Sequence, residues 1–311
     1  MVPLFTAAHV REAVSPAGAV DAVRDAFVAY ARGEWTMPPK VYVPAYPAGD
    51  FRAMPALGGE HALLKWITSF PGNPAKGIPT VMGVVLLSSA VDGRLVAVLD
   101  AASITALRTG AAAVLAAETL GREGAETAAV VGAGVNGEAA ARAFAARGRE
   151  PLVWDVDEAR ARAVAERVGG RVATREEALA ADVLVTVTPG RDVLLPAGSL
   201  RAGQHVSLMG ADGPGKAEIA VGELARVRCF CDDWEQASHG GELAAAVDAG
   251  VLSRDDVTEL GAVLDGTAEG RRGEEEITVF DSTGLAIQDL AIALAALESV
   301  GDLDLPQVPL D

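Results

Sequence analysis

The chain has 311 residues, half of them hydrophobic, and a formal charge of −17 with only four lysines. That length exceeds one ordinary core and suits two domains. So acidic a chain offers no basic stripe to displace counterions along nucleic-acid phosphates or an anionic membrane. No stretch of about 18 apolar residues is free of charge, and the opening MVPLFTAAHVREAV lacks the basic start and apolar run of a secretory signal. A soluble cytoplasmic protein without nucleic-acid or membrane partners is expected.

The first helix has Ser15 as its cap, Pro16 in its first turn, Val20, Val23, Phe27 and Tyr30 at helical spacing, and Gly33 to end it. From residue 38 to 100 the pattern changes to short alternating runs broken by Pro-Ala-Gly-Asp, Pro-Gly-Asn-Pro and Asp-Gly, which predicts an antiparallel sheet. SITALRTGAAAVLAAETLG reads as a long alanine-rich helix. Its interior Gly110 costs about 1 kcal/mol relative to alanine, so a glycine there points to close backbone approach. Strand, glycine turn and helix then recur from ETAAVVGAG through ADVLVTVTP to QHVSLMG and VRCFCDD, the rhythm of a doubly wound parallel sheet. Cys229 and Cys231 alternate along their strand and are expected to be buried on one face, too few to frame disulfides or a structural zinc; no metal is expected. EITVFDSTGLAIQDLAIALAALES supplies a final strand and a helix apolar enough for a core or a subunit interface.

AAVVGAGVNGEAA carries Gly132, Gly134 and Gly137 directly after a strand and before a helix, with Val135 and Asn136 between the glycines. Backbone amides at such a helix start bind a pyrophosphate. Asp155 closes the next strand, roughly 20 residues on, where an acid hydrogen-bonds the ribose and repels a 2′-phosphate, so NAD is expected over NADP. Thr188, after ADVLVTV, is grouped with these cofactor residues. MGADGPGKAEI, at 209–219, imitates the spacing of a phosphate loop, with Gly210, Gly215 and Lys216. Ala217 stands where Ser or Thr would hold magnesium, and Asp212 places a negative charge inside the would-be cradle. An ATP or GTP site is therefore disfavoured: either the loop is a poor phosphate site or its aspartate serves different chemistry. Arg52 in FRAMP, Lys65 in LLKWI and Arg108 in TALRTG are charges in apolar or glycine-rich surroundings; Lys65, inside an apolar strand, needs an anionic partner.

As an ordered set, RAMPA, LLKW with NPAKGIPTVMG, TALRTGAAA, VVGAGVNGEAA, GADGPGKAE, DDWEQA and EITVFDSTGLAIQD resemble the ornithine cyclodeaminase and mu-crystallin family, which includes archaeal-type alanine dehydrogenases and ketimine and imino-acid reductases. The resemblance implies an α/β fold in which a Rossmann-type doubly wound parallel sheet, residues 117–276, is inserted into an α+β substrate-binding and dimerisation domain of residues 1–116 and 277–311. It implies a homodimer that binds NAD. It also places Lys65 and Arg108 on a substrate α-carboxylate, Asp212 at the substrate nitrogen, Thr80 nearby, and Thr109 and Ser282 near the cofactor. Cyclodeaminases carry a glutamate where this chain has Arg52, which disfavours a substrate with a distal amine and leans towards an alanine-type or dicarboxylic one. The expected activity is NAD(P)H-dependent reduction of a small α-imino acid, a ketimine or pyruvate with ammonia, or the reverse dehydrogenation. The alternatives are a cyclodeaminase that recycles NAD and a mu-crystallin-like small-ligand binding protein; retention of Lys65, Arg108 and Asp212 together favours the enzyme.

Overall fold

A computed structural model describes residues 1–189, 192–211, 213 and 215–310. It divides into two compact units, Met1–Arg108 joined by the segment from Leu285 onward, and Thr109–Gly284.

The first unit contains β1 (Val2–Phe5), α1 (Ala7–Ala13), α2 (Pro16–Ala31), β2 (Trp35–Thr36), β3 (Val41–Ala45), β4 (Gly49–Gly58), β5 (His61–Ser69), β6 (Val81–Ser89) and β7 (Leu95–Asp100). The Ser15 hydroxyl accepts the Gly18 amide at 3.0 Å, Pro16 opens α2, and Gly33 beyond its end takes a φ of 71°. β3 to β7 form the antiparallel sheet that the turn signals predict. Its two faces differ in burial: Met54, Ala56, Leu63, Lys65, Ile67, Val85 and Leu87 are buried, while Leu57, Leu64, Trp66 and Met82 on the opposite face are exposed. The buried face packs against the C-terminal helix Ala286–Glu298, which also lies on α2. β1 and the terminal strand Gln307–Val308, which pair with each other, were not legible as strands. Both are short and without alternation; β1 contains Pro3, and the terminal strand lies between Pro306 and Pro309.

The second unit continues α3 (Ala101–Leu120) and contains β8 (Ala128–Val131), α4 (Val135–Ala146), β9 (Pro151–Trp154), α5 (Glu158–Val168), β10 (Arg171–Val172), β11 (Val183–Thr186), β12 (His205–Leu208), β13 (Arg228–Cys231), β14 (Val257–Glu259) and β15 (Thr278–Asp281). Its strands lie in the order β10-β9-β8-β11-β12-β15-β13-β14, all parallel.

Two boundaries differ from the sequence expectation. β15 was expected with the first unit, but it threads between β12 and β13 and gives its backbone groups to both; only the segment after Gly284 belongs to the first unit. At the other boundary, the half of α3 after Arg108 already belongs to the second unit. Gly110 shows why: a Cβ there would lie 2.5 Å from the Ala139 carbonyl carbon of α4, so the missing side chain lets two helix backbones touch. Ser207 of β12 adds a 3.0 Å hydrogen bond to the Ala113 carbonyl. Cys229 and Cys231 are buried in β13 as expected, and burial pushes the Cys229 thiol up to about 12, so neither is a ready thiolate. Among the described residues no helix is long and apolar enough to cross a membrane.

Candidate active site

Lys65 stands at the centre of β5, where strand alternation turns it into the core with 1% of its surface exposed. Its Nζ donates to the Asp289 carboxylate at 2.7 Å and to the Thr105 hydroxyl at 3.2 Å, and that hydroxyl donates to the Ala101 carbonyl. Arg108, the next turn along α3, brings its Nε to 3.5 Å from the same carboxylate. This buried Nε makes no hydrogen bond. Two cations thus face one carboxylate in a water-poor interior and leave positive charge in excess, the complement of one incoming carboxylate. Burial lowers the Lys65 pKa to about 7 against the pull of Asp289, with Arg108 and Lys40 lowering it further. The sequence demanded an anion for Lys65 and assigned the role to substrate; Asp289 was missed. The available signal was a carboxylate inside the apolar helix AIQDLAIALAAL, which needs a buried cation.

Arg52 lies on the same buried face, opposite Ile67, while Lys65 is opposite Met54. Its guanidinium is held by Asp50, with Nε at 2.6 Å and Nη2 at 3.3 Å, and sits 5.3 Å from the centre of the Tyr42 ring. Thr80 lies at the end of the β5–β6 connection, where its carbonyl accepts the Phe70 amide at 2.8 Å.

Asp212 lies outside the described residues; Gly210 before it and Glu218 after it are described. Glu218, fully buried, accepts the Gly210 amide at 3.2 Å, the Thr188 amide at 2.8 Å and the Thr186 hydroxyl at 2.7 Å. One carboxylate therefore ties the start of the Asp212 segment to the turn after β11. Gly210 is required there, because a Cβ would fall 2.5 Å from the Glu218 Oε2. The Glu218 amide in turn donates to Glu242 at 2.8 Å. Burial raises the Glu218 pKa, and burial together with the Glu218 charge pushes Glu242 up to about 8. Further along, Asp232 accepts the hydroxyls of Ser282 at 3.1 Å and Thr283 at 3.2 Å and the Gly284 amide at 2.8 Å. Asp281 accepts the Leu243 amide at 3.1 Å, and its pKa is raised by burial and by Asp232 and Glu242. None of these four acids was singled out in the sequence.

In the glycine turn, Gly132 has a φ of 107°, and a Cβ on it would meet the Val187 carbonyl at 2.7 Å; one on Gly137 would strike the Gly132 carbonyl. Gly134 instead faces open space and caps α4 with no side-chain hydrogen bond, so the amides at the helix start are available to an anion. Val135 is exposed and Asn136 half-buried beside it. Asp155 accepts the Ala133 amide at 2.6 Å and the Asp157 amide at 2.8 Å, bracing the turn from the end of β9. β8 and β11 are neighbours at the point where strand order reverses, the place at which such sheets bind dinucleotides. Thr109 contributes a buried hydroxyl without a hydrogen-bond partner. The open Gly134, the uncapped helix start and the acid after β9 together fit NAD.

A family model for the ornithine cyclodeaminase/mu-crystallin family matches residues 3–302. The chain belongs to this family. It is 42% identical to an alanine dehydrogenase of Archaeoglobus fulgidus over 95% of this chain and 94% of that one. Among solved structures it is similar to an archaeal alanine dehydrogenase dimer with bound NAD, at 41% identity and a TM-score of 0.94, covering 100% of this chain and 99% of the other. It is also similar to the iminosuccinate reductase of Paracoccus denitrificans in complex with NAD+, at 28% identity and a TM-score of 0.90 over 99% of each chain. The expected family, fold class and oxidoreductase character all stand.

Proposed function

We propose that the protein is an NAD-dependent imino-acid reductase or, in reverse, an amino-acid dehydrogenase. The observation that carries this reading is the buried Lys65–Asp289–Arg108 cluster, whose surplus positive charge and unbonded Arg108 Nε suit one substrate α-carboxylate. In this reading Lys65 and Arg108 fix that carboxylate, and positioning supplies much of the rate. Asp212 holds a proton at the imine nitrogen, which makes the adjacent carbon electrophilic, and Lys65, near neutrality in its pKa, is a second proton source. Gly132, Gly134, Val135, Asn136 and Gly137, with Thr109, Thr188 and Ser282 nearby, would hold NADH, which when bound would supply the hydride for that carbon. The partly exposed Asp155 supports a preference for NADH over NADPH.

We further read the protein as a homodimer. The outer face of the antiparallel sheet exposes Leu57, Leu64, Trp66 and Met82, each more than a third accessible, together with Val41 and Val43 of β3. A contiguous apolar face of this kind suits burial against a second copy.

The test is NADH and NADPH oxidation with pyruvate plus ammonia, oxaloacetate plus ammonia, and pyrroline- and piperideine-2-carboxylate. Reduction of at least one imino acid, faster with NADH, is the expected outcome. Ammonia release from ornithine with only catalytic NAD would install the cyclodeaminase reading instead. Tight binding of small ligands without turnover of any substrate would install the binding protein.

A further inference from the structure

The hydrogen bonds around Lys65 fix more than its position. An ammonium has three N–H groups and nothing that accepts. One goes to the Asp289 carboxylate at 2.7 Å and a second to the Thr105 hydroxyl at 3.2 Å. That hydroxyl cannot return a proton, because its own is donated at 2.7 Å to the Ala101 carbonyl, one turn earlier on α3. A carbonyl only accepts, so the chain runs in one direction, from Lys65 to Thr105 to Ala101. Thr105 and Arg108, three residues apart on α3, both turn towards this cluster. Opposite Lys65 stand the apolar Met54 of β4 and Val85 of β6, and the other charges that reach it, Arg108 and Lys40, are cations. Lys65 therefore keeps one free position. With its pKa lowered to about 7, both of its forms exist near neutrality. As an ammonium it offers an N–H there; as an amine, with two N–H groups still committed to acceptors, it offers its lone pair in the same direction.

We propose that Thr105 is a positioning residue for the reduction: by taking the second N–H of Lys65 purely as an acceptor, it leaves that side chain a single free position through which to meet the substrate. The proposal rests on the imino-acid reductase reading and deepens it at the central cation. With Asp289 alone, Nζ would present two open positions, and the donor aimed at a substrate would be divided between them. With Thr105 in place one N–H is aimed, as a binding group that sets substrate geometry requires. The hydroxyl also favours the charged form, because a hydrogen bond accepted from an ammonium is stronger than one accepted from an amine. Threonine suits the place: its branched side chain has few rotamers in a helix, and the bond to Ala101 selects one of them.

The test compares the wild type, Thr105→Val and Thr105→Ser as full-length proteins. It follows kcat/KM across pH on the imino acid that the wild type reduces, and NADH affinity by fluorescence titration. Valine keeps the branched shape and removes the acceptor. Its kcat/KM should fall about tenfold, in line with the loss of one hydrogen bond to a charged group. The limb on which activity falls with rising pH should move down by about one pH unit, because a buried ammonium that has lost an acceptor gives up its proton sooner. Serine, which keeps the hydroxyl, should restore both, and NADH affinity should be the same in all three. Thr105→Ala, which favours the helix, reads the same two losses if the packing rejects valine. Unchanged kcat/KM in a folded variant without the hydroxyl, an unmoved limb, failure of serine to restore either, or a matching loss of NADH affinity would overturn the role of Thr105 and leave the reductase reading intact. A wild type that reduces no imino acid would overturn the reductase reading and this role with it.

Discussion

Each unit buries a cluster of charges, and the two are built on opposite rules. In the first, Lys65 and Arg108 share Asp289, so side chains of opposite sign hold one another and leave positive charge over. In the second, Glu218, Glu242, Asp281 and Asp232 are all acids, and the partners that hold them are backbone amides and hydroxyls. In the proposed reading the first cluster prepares a charge for a ligand. The second fixes chain segments that have no ladder of their own: Glu218 joins Thr188 to Gly210, and Asp232 gathers Ser282, Thr283 and Gly284. A carboxylate does this well, because its two oxygens accept several amides that a loop would otherwise leave unpaired.

Breaking the first cluster should have the largest effect. Asp289→Ala leaves two buried cations facing each other without an anion, and removing one partner of such a pair costs about 3–5 kcal/mol. Lys65→Met should cost less, since Arg108 still compensates Asp289 and the methionine fills the space. Chemical denaturation of the three proteins checks the order. Equal stabilities would mean that Asp289 is not the shared anchor.

Much of this was legible in the sequence, and the reason is spacing. The glycine turn, the acid after β9 and the alternation in β5 are local patterns, so Gly132, Gly134, Gly137, Asp155 and Lys65 declared themselves. Asp289 lies 224 positions from Lys65 and meets it only once the C-terminal helix has docked on the sheet. Glu218 was hidden in another way: beside Lys216 and Ala217 it looked like the tail of a false phosphate loop, while its partners Thr186, Thr188 and Glu242 lie 24 to 32 positions away. β15 was read correctly as a strand but given to the wrong unit, because a single strand carries no mark of which neighbours it will pair with.

The second cluster should respond more mildly. Glu218→Gln preserves volume but has one oxygen where the carboxylate has two, so it cannot accept from Thr188, Gly210 and Thr186 as Glu218 does. Leaving one buried donor unsatisfied costs about 1–3 kcal/mol. Because those donors flank the Asp212 segment and the turn after β11, kcat should fall in a variant that still binds NADH. Unchanged stability and unchanged kcat would show that the loops hold their shape without this staple.

The finest distinction between the clusters is the direction in which each responds to pH. Glu242 titrates near 4.5 when unfolded and at about 8 when folded. Between those values the unfolded chain has released a proton that the folded chain keeps, so stability falls as pH rises, by up to about 1.4 kcal/mol per pH unit for one group. Glu218 and Asp281 are displaced in the same direction and steepen the fall. Lys65 does the reverse. Its pKa drops from 10.5 unfolded to about 7 folded, so between those values the unfolded chain holds a proton that the folded chain has lost, and stability rises with pH. Denaturation midpoints from pH 5 to 10 should therefore show Glu242→Gln flattening the decline below pH 8 and Lys65→Met flattening the recovery above pH 7. If both variants ran parallel to the wild type across the range, the charges of these clusters would not be changing as burial dictates, and the contrast between the two units would have to rest on geometry alone.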